Sequence, residues 1–300
     1  MSSSASSPRP KASRSISGPS PRLDLRVNAV RDDLADIALA GRIVSPRYAA
    51  PVPMQGTAPA ASVYASPDTN SVCVSELLYG EDFAVFDCSG DWAWGQCGRD
   101  SYVGWVHVDM LSTAAGSNAT VTAAQGLLFA APSIKAPVVA TVPLGARLTA
   151  VPFDQAFARS GKTFIHLRHL QPLVGDSVDL AHAFIGTPYR WGGRTRAGLD
   201  CSGLVQVVLQ AHGIACPRDS DQQLAAFPAV PFADRRRGDL VAFPGHIGIL
   251  VDADRLLHAN AFHMTTLVEP LVDIVARLQP LAPEPILGVV RPCEAVTASL

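Results

Sequence analysis

Between Asp200 and Gly213 the chain reads Cys-Ser-Gly-Leu-Val-Gln-Val-Val-Leu-Gln-Ala-His. This run, residues 201–212, is apolar around most of a helical circumference. It therefore reads as a helix enclosed by other elements, not one lying on a surface. A chain that commits to such a helix must build a shell around it. The downstream segments supply strands at Asp239–Phe243, His246–Val251, Arg255–Ala259 and, last, Gly288–Arg291. Upstream, Asp176 can cap a helix over Val178–Ile185, ended by Gly186 and Pro188. Helix first and antiparallel strands after is an α+β order. The domain so defined runs over residues 175–300.

The chain before Gly175 has a different grammar. In residues 61–115, short alternating runs such as Phe83-Ala84-Val85-Phe86 and Tyr102-Val103-Gly104-Trp105-Val106 are separated by turn signals at Tyr79-Gly80, Ser89-Gly90-Asp91 and Gly98. Short strands at this spacing predict a small all-β barrel or sandwich. Residues 119–172 look similar but more degraded. Matching Glu76–Glu81 with Ala140–Gly145 gives a period of about 65 residues, the mark of a duplicated domain. Residues 23–60 form an N-terminal segment, with a short helix expected around Asp32–Ala40 and Gly41 as its stop. Residues 1–22, Ser/Pro-rich and basic, read as a disordered tail.

Composition narrows the function. Apolar residues make up 48% of the chain, charged residues 17%, and the formal net charge is −2. No basic or acidic excess marks a nucleic-acid or membrane-surface partner. No run of about 18 apolar residues predicts a membrane helix, and the start lacks the apolar core of a secretory signal. A cytoplasmic location is the expectation. None of Cys73, Cys88, Cys97, Cys201, Cys216 and Cys293 forms a C-x-x-C pair, so no metal site or other cofactor is expected.

Cys201 stands out from the other cysteines by position. At a helix start, the dipole and free N–H groups favour a thiolate and can hold a developing oxyanion. Gly203 would let substrate approach the backbone. Thiol catalysis also needs a base and a group to orient it. His246 opens a strand after Pro244-Gly245, and His258 follows on the next strand. A three-residue loop at Val251–Ala253 would pair them directly across the ladder. Shifting that loop by one residue would put Asn260 opposite His246 instead, and Asn can also orient a base.

Five segments carry a resemblance. Tyr189-Arg190-Trp191-Gly192-Gly193, Leu199-Asp200-Cys201-Ser202-Gly203-Leu204, Gly238–Phe243, Gly245-His246-Ile247-Gly248-Ile249 and Leu257-His258-Ala259 together resemble the NlpC-type cell-wall cysteine peptidases. The match covers roughly residues 175–293, and the two upstream modules resemble bacterial SH3-like domains. The resemblance implies a papain-like catalytic domain preceded by two small SH3-like β-barrels. It implies Cys201 as nucleophile, His246 as base, His258 as orienter and Tyr189 near the oxyanion. It sets Asp200 and Ser202, the neighbours of the nucleophile, among the substrate-binding residues.

The segment Pro217-Arg218-Asp219-Ser220-Asp221-Gln222-Gln223 is similar to one that binds a free amino terminus in relatives with an SH3-like module in front. Asp219 would pair with the ammonium and Ser220 would hydrogen-bond nearby. Either residue could equally start the helix that follows. From the first module, Tyr102 and one of Glu76 or Glu81 would reach the same amine. The implied activity is hydrolysis of the γ-D-glutamyl–diamino acid bond in small murein peptides, L-Ala-γ-D-Glu-diamino acid, during cell-wall recycling. An exported wall-lytic endopeptidase and a non-catalytic wall-peptide binder are the alternatives.

Overall fold

The computed structural model describes residues 23–293. The expected tail, residues 1–22, lies outside them. In the first module β1 (Val52–Gly56), β2 (Ala60–Tyr64), β3 (Cys73–Leu78), β4 (Asp82–Ser89), β5 (Trp92–Cys97), β6 (Val103–His107) and β7 (Leu111–Thr113) form one sheet. Their order is β3-β2-β6-β5-β4-β1-β7. Period-two alternation turns Ala61 and Val63 inward from β2, onto Leu77, Phe83 and Val106. The sheet thus takes in Val52–Gly56, which the sequence left in the N-terminal segment.

This sheet is open, where a closed small barrel was expected. β3 and β7 stand at its edges. The β3 edge has another cover: Arg194, from the third domain, donates from Nη1 to the Glu76 carbonyl at 2.6 Å. An edge whose polar groups are met from outside needs no closing strand. The second module is open too. β8 (Gln125–Phe129), β9 (Val138–Pro143), β10 (Val151–Pro152), β11 (Phe157–Ser160) and β12 (Thr163–His166) lie in the order β9-β8-β12-β11-β10. β3 and β9 each run into a glycine with left-handed φ, Gly80 at 71° and Gly145 at 84°.

The helix expected at Asp32–Ala40 does not form. Ala35–Asp36 pairs in parallel with Tyr48–Ala49, and only a 3-10 turn spans Ile37–Leu39. Nine residues are too few to hold a helix by propensity, and the Asp36 carboxylate takes the Ala38 N–H. Tertiary contacts decide the segment instead. Leu34 is buried with Phe86 and Trp94, and the Arg31 guanidinium lies 4.6 Å from the Trp94 ring centre. The segment is thereby strapped over the outer face of the first module.

The third domain holds α1 (Ser177–His182), α2 (Cys201–Ala211), α3 (Ser220–Ala226) and α4 (Leu271–Leu278). Its strands are β13 (Ala229–Val230), β14 (Leu240–Phe243), β15 (His246–Leu250), β16 (Arg255–Asn260), β17 (Thr265–Pro270) and β18 (Gly288–Val290). They form an antiparallel sheet ordered β13-β18-β14-β15-β16-β17. α2 is enclosed as its composition demands: Leu204, Val205 and Val208 are fully buried against a cluster that includes Ile247, Ile249 and Leu257. α1 ends three residues short of Ile185, where Phe184 and Ile185 donate back three residues instead of four. β17 and α4 were not anticipated, and both bear on the site.

Candidate functional site

Asp200 caps α2, accepting the Gly203 N–H on Oδ1 at 2.6 Å, so Cys201 is the first residue of the helix. The N–H groups of its first turn have no partner within the helix. The thiol lies against the backbone N–H groups of Ile247 and Ser202, which favour a thiolate. Burial outweighs them, and the nearby Asp200 carboxylate adds to it, pushing the thiol up to about 11. The helix start thus favours a thiolate, as expected, and burial opposes it.

Asp200 and Ser202 line the same cavity as Cys201, and Arg218 holds the polar atoms of both. Arg218, 1% exposed, donates from Nη1 to Asp200 Oδ1 and to the Ser202 hydroxyl, both at 3.0 Å, and from Nη2 to Asp200 Oδ2. Its Nε reaches Ser75 of the first module. Asp200 Oδ2 also accepts the Gly192 N–H at 2.8 Å. A buried carboxylate must be paired, and this one pins three things together: the helix start, the Trp191-Gly192-Gly193 turn and the first module. Gly203 serves the same packing. A Cβ there would stand 2.2 Å from the Gly193 carbonyl oxygen, so the close approach it permits is to that turn, not to substrate.

The base side differs from the expected register. Ile249 pairs with Leu257 and Leu250 with Leu256. The loop is centred one residue later than expected because the Asp252 carboxylate accepts the N–H groups of Asp254 and Arg255. By this register Asn260 is opposite His246, and His258 is opposite Gly248. His258 nevertheless meets the other ring: His246 Nε2 and His258 Nδ1 are 2.7 Å apart. The diagonal contact crosses the space over Gly248, where a Cβ would come 2.9 Å from His258 Cβ. Asn260 sits behind His258, its Nδ2 3.2 Å from Glu269 Oε1. Burial holds His246 down to about 4 and His258 to about 3, so both rings are neutral at rest. Glu269, on β17, was missed in the sequence. No local motif marks it, and only the pairing of β17 with β16 brings it to His258.

A cavity of about 250 Å³ joins Cys201 to the first module, with Gly245, Trp191, Tyr102, Asp219 and Ser220 in its wall. Tyr102 packs in the first module's core and its hydroxyl donates to Asp219 Oδ2 at 3.1 Å. Burial raises the Asp219 carboxyl above the usual carboxylate range, opposed by Arg218, Tyr102 and Arg26. Asp219 is also the N-cap residue of α3, and its own N–H donates to Gln222 Oε1. Ser220 begins α3 and lines the cavity. Tyr189 lies near Cys201 and Asp200. Burial is the largest cause that pushes its hydroxyl up to about 12, so it remains a donor.

Neither Glu76 nor Glu81 reaches the cavity. Both are 1% exposed. Glu76 accepts from Arg190 Nη1 and the Arg194 N–H, each at 2.7 Å. Glu81 is bound by Arg194 and Arg99. Burial alone would raise the Glu81 carboxyl, but the two arginines outweigh it and hold it low. The turn-like sequence around both residues concealed an ionic core between domains. Besides Tyr102, a second residue that was not anticipated reaches Asp219. Arg26, from the strapped N-terminal segment, donates from Nη1 to Asp219 Oδ2 and Asp221 Oδ1, both at 2.9 Å. Its Nε and Nη2 hold Asp24.

Residues 186–271 match the NlpC/P60 family and residues 63–111 the bacterial dipeptidyl-peptidase Sh3 domain. Dipeptidyl-peptidase 6 of Lysinibacillus sphaericus is 28% identical over 238 residues, covering 67% of this chain and 84% of that protein. A γ-D-glutamyl-L-lysine dipeptidyl-peptidase of Bacillus cereus is 25% identical over 233 residues, covering 66% and 70%. The crystal structure of an NlpC/P60 family protein from Bacillus cereus superposes with a TM-score of 0.68 at 21% identity, over 80% of this chain and 99% of that one.

Proposed function

We propose that this chain, which joins an NlpC/P60 domain to a bacterial SH3 domain, is a cysteine peptidase that hydrolyses the γ-D-glutamyl–diamino acid bond of murein peptides with a free N-terminal L-Ala. One observation carries the substrate choice. The Tyr102 hydroxyl reaches the Asp219 carboxylate, so a first-module residue and a third-domain carboxylate close one end of the cavity that holds Cys201. A closed end lined by carboxylate admits a chain terminus bearing an ammonium, and rejects a longer or acylated one. The names of the related dipeptidyl-peptidases agree with this chemistry.

In this reading His246 Nδ1 takes the thiol proton as Cys201 Sγ attacks the γ-carbonyl carbon. Because burial raises the thiol, proton transfer accompanies the attack in this reading. The first-turn N–H groups of α2, with the Tyr189 hydroxyl, hold the oxyanion. The proton passes to the departing α-amine of the diamino acid. Water, relieved of a proton by His246, then cleaves the thioester and frees L-Ala-D-Glu. The substrate ammonium shares Asp219 with Arg26, whose remaining donors stay on Asp24 and Asp221. Small peptides of this kind are recycling products, so the proposed setting is the cytoplasm.

The test compares L-Ala-γ-D-Glu-diaminopimelate with its N-acetylated form. Cleavage of the free-amine peptide alone is expected, with no turnover in Cys201→Ala. Equal cleavage of both peptides would remove the free-amine claim, and activity in Cys201→Ala would remove the mechanism.

A further inference from the structure

The tautomer of the base is decided three side chains away from the thiol. A neutral imidazole has one N–H and one lone pair, and His246 can accept the thiol proton on Nδ1 only if its own hydrogen is on Nε2. That hydrogen must be received by His258 Nδ1, 2.7 Å away. His258 must therefore carry its hydrogen on Nε2. Two groups face that nitrogen: Glu269 Oε1 at 2.9 Å and Asn260 Nδ2 at 3.3 Å. They make opposite demands. An amide N–H there would force His258 to be Nδ1–H and His246 to be Nδ1–H as well, leaving no lone pair for the thiol.

We infer that Glu269 is the positioning residue that fixes the His258–His246 relay in the base-competent tautomer. This deepens the peptidase reading and rests on it. A carboxylate only accepts, and at 2.9 Å it takes the shorter contact. The Asn260 amide is held with its Nδ2 toward both groups, because its Oδ1 accepts the Phe262 N–H at 2.6 Å, and a carboxylate is the stronger acceptor for that Nδ2. Its Nδ2 donates to Glu269 instead. Glu269 is itself held by Arg277, whose Nη2 reaches Oε2 at 2.7 Å, with His263 Nε2 3.4 Å from the same oxygen. These are the charged and titratable groups facing the pair: Arg277 from α4, His263 from the loop before β17, and Glu269 from β17. The result is a line Arg277–Glu269–His258–His246, in which each hydrogen is directed by the group behind it.

Glu269→Gln separates this role from mere packing. Its shape is conserved, but Arg277 demands the amide oxygen and turns the NH2 toward His258, which reverses both tautomers. A wrong tautomer at a catalytic histidine costs up to about 10⁴ in rate. For E269Q, kcat is expected to fall at least about 100-fold with KM within about twofold. The 15N spectrum of histidine-labelled protein should change His246 from Nε2–H to Nδ1–H. The wild-type spectrum is a measurement that depends on neither a variant nor a substrate. Nε2–H on both His246 and His258 is required, and Nδ1–H on either overturns the inference even if the peptidase reading stands. A kcat of E269Q within threefold of wild type, or a loss with the tautomers unmoved, overturns it too. Absence of turnover in the wild type, with Nε2–H on both rings, would count against the peptidase reading alone.

Discussion

Arg218→Met should destabilise the protein by about 3 kcal/mol, and the size follows from what it leaves behind. Asp200 is 6% exposed and would lose both guanidinium hydrogen bonds. Removing one partner of a buried ion pair costs about 3–5 kcal/mol, because the other charge stays uncompensated. The lower end applies here, since Asp200 keeps the N–H groups of Gly203 and Gly192. For a chain of this size about 3 kcal/mol corresponds to about 6–12 °C in Tm. Calorimetry of wild type, R218M, D200N and the double variant D200N/R218M reads it directly. In D200N the carboxylate is gone but the side-chain amide oxygen can still cap α2, so the double variant should melt above R218M despite carrying one more substitution. Activity should fall in R218M, because the same carboxylate sets the position of Cys201. An R218M protein melting within about 2 °C of wild type, or a double variant no more stable than R218M, would refute the claim that Arg218 exists to neutralise Asp200.

Asp219→Asn should lower kcat/KM for the free-amine peptide by about 10- to 150-fold, the worth of a charge-assisted hydrogen bond of about 1.5–3 kcal/mol, with little change in Tm; steady-state kinetics and melting curves check both. The pH dependence has a defined sign. Burial raises the Asp219 carboxyl, so it takes up a proton as pH falls through a value above the ordinary carboxylate pKa, and preference for the free amine over the acetylated peptide should fade from that higher pH downward; a preference unchanged down to the ordinary carboxylate range would count against it. Gly248→Ala would place a methyl 2.7 Å from Leu256 and 2.9 Å from His258 Cβ. Overpacking of this kind costs about 1–3 kcal/mol, and here it should also part the two imidazoles, so kcat should drop while KM holds.

The sequence by itself determined the parts whose signal is local. A run apolar on most sides had to be a buried helix, and Cys201 had to stand at its start. Alternating short runs had to be sheet. His246 and His258 were legible as neighbours on one hairpin, although the register was misjudged by one step because Asp252, not Val251, organises the loop. Tertiary structure alone decided the rest, because charges are assigned partners by proximity in space. Glu76 and Glu81 look like surface turn residues until arginines more than a hundred positions later arrive to bury them. Arg26 meets Asp219 across 193 residues, and Glu269 meets His258 only through the pairing of β17 with β16. The pKa of Cys201 belongs to the same class. Its helix position argues for a thiolate, but burial, which no helix start reveals, pushes it up to about 11.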